Sequence, residues 1–294
     1  MEVLKKGLWI IFGLLFVLML AGCNTKAEPV NKQEEPTKKQ EKAVEKEEAE
    51  LTLGEVFEKV TEASKELNSF KVKMDMKQNI SSDQDASANM DINTTLEMDF
   101  VQDPMAFYQK MSMKMPELEE DMEMEIYFTK DGMYYYDPTS QMWMKFPSEM
   151  MEQLVQLSDQ QTNPAAEIEK LKSFVDDFKF QQDDNNYILL LNASGDKFTD
   201  FLKETIQETL PEGMADSAEV FENMKINKMN YEIHIDKKTF YPTILNLSMD
   251  MEMSAEGQTV KIAQDIKSQY VEHNHIKEIT VPQEVIEGAV ESGM

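Results

Sequence analysis

Arginine is absent from this 294-residue chain, and cysteine occurs once. Without arginine the chain lacks the planar fork that grips phosphate and carboxylate groups bidentately. Its formal charge is -27, so nucleic acid and anionic headgroups, which are held by cations, are poor partners. The excess charge suits solubility and keeps the domain off an anionic surface. A single cysteine excludes an internal disulfide, and once that thiol is modified no thiol-redox or thiolate-metal chemistry remains.

The cysteine sits at a marked position. Lys5-Lys6 is followed by an apolar run from Leu8 to Leu20 and then by Ala21-Gly22-Cys23. A charged start, a short apolar stretch and small residues before a cut site are the marks of a secretory signal peptide. The run is shorter than the about 20 apolar residues a spanning helix needs. Leu20-Ala21-Gly22-Cys23 resembles the bacterial lipobox. That resemblance implies cleavage after residue 22, a lipid on Cys23, and tethering to the outer face of the cytoplasmic membrane, in a single-membrane, Gram-positive cell.

Residues 23–50 are charged and nearly free of apolar side chains, with Pro29 and Pro36. Such a composition cannot bury a core and reads as a solvated tether, with a reach on the order of 30 Å. Residues 51–294 then read as one domain, since about 240 residues suit a single large core better than two small ones.

Thr52-Leu53-Gly54-Glu55 fits a capping box, and Leu53, Val56, Phe57, Val60 and Leu67 form one helical stripe. From Phe70 the period changes to two. Val72, Met74 and Met76 alternate with Lys71, Lys73, Asp75 and Lys77, and the pattern recurs at Met90–Ile92, Leu96–Phe100, Met111–Met115 and Met122–Phe128. Asp103-Pro104, Asp131-Gly132 and Asp137-Pro138 supply turn chemistry between these runs. The spacing predicts a hairpin from Ile126 to Phe146, helices after Ser148 and Asn163-Pro164, a short hairpin from Phe178 to Leu191, and a helix carrying Phe198, Phe201, Leu202, Ile206 and Leu210. Strands return at Met229–Ile235, Ile244–Met253 and Val260–Tyr270, with Ile276–Pro282 as a tail. The order predicts an α+β domain: a large curved antiparallel sheet, a half-open barrel, with helices packed on its concave face.

Methionine contributes 24 residues, most of them at i, i+2 spacing in the strand runs, which puts each set on one face of a sheet. Its flexible, polarizable side chain fills irregular space and adapts to varied partners. One reading makes these residues core filling. The sharper one is a pliable apolar cavity lined by Met74, Met76, Met98, Met113, Met124, Phe128, Met144 and Met251, with Phe198, Phe201 and Leu202 from the lid-like helix. Thioethers also bind Cu(I), and Met111-Ser-Met113-Lys-Met115 places three sulfurs along one strand side. Neighbouring sulfurs at that spacing stand well apart, so no metal or cofactor is expected.

The lipobox, the tether, the opening helix followed by Phe70–Met74, the Tyr127–Tyr135 hairpin with Trp143, and the closing Ile276–Pro282 together resemble the lipoprotein-carrier superfamily. This comprises the LolA/LolB carriers and the mycobacterial LppX/LprG lipoproteins, and the pattern is similar above all to Gram-positive surface lipoproteins of that build. The resemblance implies a half-open barrel over an apolar cavity and a carrier or envelope chaperone. It supplies no catalytic residue.

Enzyme signatures are missing. Ser194-Gly-Asp-Lys197 has the Ser-x-x-Lys spacing, but Lys238-Thr239 is followed by Phe240 where that class needs glycine, so Ser194 reads as a helix cap. His273 and His275 share a strand face, with only His234 to join them. Asp83-Gln-Asp85 starts like a calcium loop but has Ala88 at the turn position. No Gly-rich phosphate loop, Gly-x-Ser-x-Gly or His-Glu-x-x-His occurs. The expected function is therefore non-enzymatic. The expected partners are the membrane through the lipid on Cys23, a lipid or other apolar ligand, or, as the alternative, an envelope protein engaged by a lipoprotein with a filled core.

Overall fold

The computed structural model describes residues 28–29, 51–82, 84, 89–116, 121–147, 177–193, 198–200, 203, 224–255 and 258–291. Lipidation at Cys23, the candidates Phe201 and Leu202, the Ser194-to-Lys197 motif, the Asp83-to-Asp85 turn and the two helices expected after Ser148 and Asn163 lie outside the described residues.

Helix α1, Leu53–Lys65, begins at Thr52 with the expected capping box. The Thr52 hydroxyl accepts from the Glu55 amide at 3.3 Å, and the Glu55 carboxylate accepts from the Thr52 amide at 2.8 Å. Both satisfy donors that a helix start leaves without partners. The strands are β1 Glu28–Pro29, β2 Ser69–Ser82, β3 Met90–Val101, β4 Ala106–Lys114, β5 Met122–Thr129, β6 Gly132–Asp137, β7 Met142–Lys145, β8 Phe178–Gln182, β9 Asn186–Ala193, β10 Met224–Asp236, β11 Pro242–Ala255, β12 Gln258–Val271 and β13 Val290–Glu291. A short helix α2, Gln283–Gly288, precedes β13.

All the described strands join one 13-stranded sheet in the order β1-β8-β9-β10-β11-β12-β2-β3-β4-β5-β6-β7-β13. From β8 to β7 every pairing is antiparallel, and only the two-residue β1 and β13 pair in parallel. The protein is mostly β, and the sheet is open, with a barrel-like curve. Strands β7 and β8, consecutive in sequence, lie towards opposite edges. The second meander joins the first through β12 against β2, where Ile266 faces Met76 and Ile262 faces Ile80.

Three expectations need adjustment. The run Ile126 to Phe146 is not one hairpin but part of three strands, because Asp137 closes a second turn by accepting from the Thr139 and Ser140 amides. The tail Ile276–Pro282 is no strand. Nor do all helices share one face. The apolar stripe of α1 enters the main core, whereas α2 places Ile286 beside Val101, Ala106 and Tyr134, whose side chains belong to the opposite face.

Candidate functional site

Strand register decides which side chains share a face. Across β2 and β3, Val72 faces Met98, Met74 faces Leu96, Met76 faces Thr94, Gln78 faces Ile92 and Ile80 faces Met90. The same rows continue through Met111 and Met113 on β4 to Met124 and Met122 on β5, and through Ile126 to Tyr135 and Met144 on β6 and β7. In the other direction they continue through Ile262, Gln264, Ile266 and Ser268 to Met251, Met249, Leu247 and Leu245, then to Ile226, Met229, Tyr231 and Ile233. Every methionine in a described strand lies on this inner face. Alternation with period two imposes that result once the register is set.

Lys71, Lys73, Lys110, Asp99, Glu97, Glu123 and Glu125 take the outer face. There they pair across strands, as in Lys71 to Asp99 at 3.0 Å and Lys110 to Glu123 and Glu125 at 3.2 and 3.3 Å. These ion pairs are exposed or partly so, and such pairs add little stability. On the inner face from β2 to β12, the one charged side chain in register is Asp137, at the end of β6 in its turn.

The inner face has two unlike halves. Over β8 to β12, β2 and β3, Leu53, Val56, Phe57 and Val60 of α1 join Met76, Phe178, Phe198, Met224, Met229, Met249 and Met251 in a packed cluster. Phe57 meets Phe178 edge-on at 6.2 Å. Phe198 lies in the expected third helix, of which 198–200 and 203 are described, and the Ile226 amide donates to the Thr199 hydroxyl at 3.1 Å. Of the candidates, Met76, Met251 and Phe198 belong to this cluster, and Met74 and Met113 pack at its margin. Met98 and Phe128 are buried outside it, while Met124 and Met144 are half-buried on the β5 to β7 side. The structure therefore gathers the candidates on one face but not around one point.

A second feature of this face is a belt of rings at one end of the strands. Phe70 lies 5.1 Å from Phe100 and 5.8 Å from Tyr270, and Phe107 stacks on Phe128 at 5.1 Å. Only Phe128 was singled out from the sequence. Phe100 continues the Leu96-x-Met98-x-Phe100 alternation, and that parity was the signal for it.

Polar residues occupy inner positions as well. Gln78, Thr94, Gln264 and Ser268 are buried, and Thr94 Oγ1, Tyr231 Oη, Gln264 Oε1 and Ser268 Oγ have no hydrogen-bond partner. The amide of Gln264 donates instead to the Met76 sulfur at 2.7 Å. Burial pushes the Tyr231 phenol up and the Tyr270 phenol up to about 12, so both stay neutral at physiological pH. These residues escaped the sequence reading because a polar side chain on apolar parity looks like a lapse in the pattern.

On the outer face, a concavity of roughly 320 Å³ lies between the segment 277–281 and Val101, Ala106, Lys130 and Tyr134. The histidines do not converge. His234 bonds Glu232 at 2.6 Å, His273 stacks on Tyr241 at 5.1 Å, and His275 Nδ1 contacts the His273 carbonyl at 2.8 Å. Among the described residues no group of three or more metal-ligating His, Cys, Asp or Glu side chains forms, and no helix is long and apolar enough to cross a membrane.

A family model matches nearly all of this domain, over residues 52–290. The chain belongs to DUF6612, a family of unknown function. No curated protein matches it. Among solved structures it is similar to LprF from Mycobacterium bovis, at 11% identity and a TM-score of 0.35, covering 78% of this chain and 94% of that one. It is also similar to a beta-barrel-like protein of the domain of unknown function DUF1849 from Brucella abortus, at 9% identity and a TM-score of 0.21, covering 68% and 98%. Overlaps this loose define neither a shared ligand nor a shared activity.

Proposed function

We propose that this protein is a lipid-anchored envelope protein that binds an apolar ligand against its methionine-rich inner face, by shielding rather than by catalysis. One observation carries the reading: every described strand methionine falls on one face of the sheet, and from β2 to β12 that face bears no charged side chain except Asp137 in its turn. A core needs an apolar face, but it does not need methionine, which specifies packing less tightly than Leu, Ile or Val. The helix α1 fills the β8 to β12 side. The ligand therefore belongs on the β4 to β7 side, over Met98, Met111, Met124 and Met144 and along the ring belt. The lipoprotein-carrier resemblance supports the same reading, with Cys23 acylated and the charged tether holding the domain near the outer face of the cytoplasmic membrane.

Native mass spectrometry of the full chain from its own membranes, followed by organic extraction, tests this. A hydrophobic adduct in stoichiometric amount, beyond the lipid on the N-terminal cysteine, is the expected result. A clean mass, with no uptake of added lipid, would replace it with the interaction-protein reading. Anchoring has its own test: Cys23→Ala should abolish incorporation of labelled palmitate and release the protein from the membrane fraction.

A further inference from the structure

Among the described residues, Met142, Ile286 and Val290 are the large aliphatic side chains that stand out to solvent, at 45%, 43% and 47% exposure. All three lie at one edge of the sheet: Met142 on β7, Ile286 on α2, and Val290 on β13, in register with Met144. Exposed apolar side chains need no account when scattered, but gathered together they mark a contact surface.

The outer face beside this edge carries rings. Tyr108 on β4 stacks on Tyr127 of β5 at 4.5 Å, Trp143 of β7 lies 5.6 Å from Tyr127, and Tyr136 of β6 meets Trp143 edge-on at 5.7 Å. All four are half-buried. Tyr134, the cross-strand neighbour of Tyr127, is buried and lines the outer-face concavity with Ile279, Val281 and Ile286. An apolar hollow therefore runs on into a strip of Tyr and Trp, the side chains enriched where one protein covers another.

Charge selects the occupant. Residues 283–294 contain Glu284, Glu287 and Glu291 and no lysine. Glu125 accepts from the Tyr108 hydroxyl at 2.9 Å. Burial pushes the Tyr127 phenol up, and the charges of Glu125 and Glu284 add to it, so carboxylates from β5 and α2 both act on this ring. The two lysines of the corner are engaged, Lys110 with Glu123 and Glu125, and Lys145 over the Tyr134 ring at 5.7 Å. Lys145 shows a cation resting on a ring of this face. A second copy of this chain, at a formal charge of -27, or an anionic lipid would bring like charge to the corner.

We propose that this corner of β4 to β7, α2 and β13 docks a basic, extended segment of a partner protein, with an apolar side chain in the concavity and arginines on the Tyr127 and Trp143 rings. Guanidinium planes stack on aromatic faces and pair with carboxylates, whereas an ammonium acts as a point charge. The chain has no arginine of its own, so the guanidinium comes from the partner. The surface lies on the face opposite the proposed apolar ligand and does not depend on it.

The test uses the full chain in phosphatidylcholine nanodiscs and two fluorescent peptides of equal charge, each with one leucine followed by arginines or by lysines at alternate positions. Fluorescence anisotropy should show the arginine peptide bound about fivefold more tightly. Attraction to the net charge alone would hold both peptides alike. Trp143→Ser should bring the ratio to near one. The triple variant Glu284→Gln, Glu287→Gln, Glu291→Gln should weaken both peptides together, by about fivefold at low salt. It alters exposed side chains only, so it keeps the wild-type thermal midpoint and reads the site even if Trp143→Ser does not fold. Equal affinities in the wild type, a ratio that survives Trp143→Ser, affinities unmoved in the triple variant, or no binding of either peptide at millimolar concentration would each overturn the proposal.

Discussion

His273 shows how one residue's surroundings set a property of the fold. Its ring stacks on Tyr241, and Nε2 is buried without a partner. Burial holds its pKa below the ordinary value of 6.5, with His275 acting in the same direction, against a bond to the Pro242 carbonyl and the charge of Asp236. A base whose folded pKa is depressed binds its proton more readily when unfolded. Its neutral form therefore supports the fold fully above the unfolded pKa, and that support is lost as pH falls below about 6.5 towards the folded value. The chemical-denaturation midpoint should drop more steeply between neutral and mildly acidic pH in the wild type than in His273→Phe. Equal slopes would mean that other groups carry the acid response. The sequence shows three histidines, two of them one residue apart, but their separate environments arise from the turn at 272–276. Glu272 and Asn274 adopt positive φ there, at 56° and 60°.

At the scale of elements, α1 is held at its two ends by different means. Thr52 caps the first turn through a local motif already legible in Thr52-x-x-Glu55, and Thr52→Ala should cost about 1 kcal/mol in urea unfolding. The far end depends on a residue more than two hundred positions away in sequence. Asn274 accepts from the Asn68 amide at 2.6 Å and the Ser69 amide at 3.3 Å, donates to the Glu66 carbonyl at 2.9 Å, and its own amide donates to the Ser69 carbonyl at 2.8 Å. Asn274→Ala removes the side-chain bonds and leaves alanine in the left-handed region without the local bonding by which asparagine tolerates it. It should cost about 2 to 3 kcal/mol, more than the cap. A loss no larger than that of Thr52→Ala would show that the latch adds nothing. This latch also redirects the chain: Ile276 donates to the Ser69 hydroxyl at 3.2 Å, and the segment beyond crosses the outer face instead of adding a strand.

For the whole molecule, charge is segregated by the sheet. The outer face presents lysines and carboxylates in register beside the rings of Tyr108, Tyr127, Tyr136 and Trp143, while the strand methionines and buried neutral polar groups meet inside. With a formal charge of -27, the net field repels anionic membranes, so the domain relies on its proposed lipid for attachment. The Cys23→Ala protein should remain in the supernatant with phosphatidylglycerol vesicles at both low and physiological salt. Co-sedimentation that weakens as salt rises would reveal a basic patch that the net charge hides.

Period-two alternation, read along the chain, already assigned the methionines to one face of each strand and the lysines and carboxylates to the other. Backbone geometry forces that separation wherever a strand forms. The capping box and the break in period at Phe70 likewise located α1 and the start of the sheet. Neighbour relations were beyond such local signals. That β2 lies against β12, that β7 and β8 stand towards opposite edges, and that 276–282 leaves the sheet follow from pairings between residues distant in sequence. The same holds for the buried polar residues. Thr94, Tyr231, Gln264 and Ser268 look unrelated in sequence, and only cross-strand register puts them on one face with the methionines, because strand neighbours are chosen by packing and hydrogen bonding over the whole sheet.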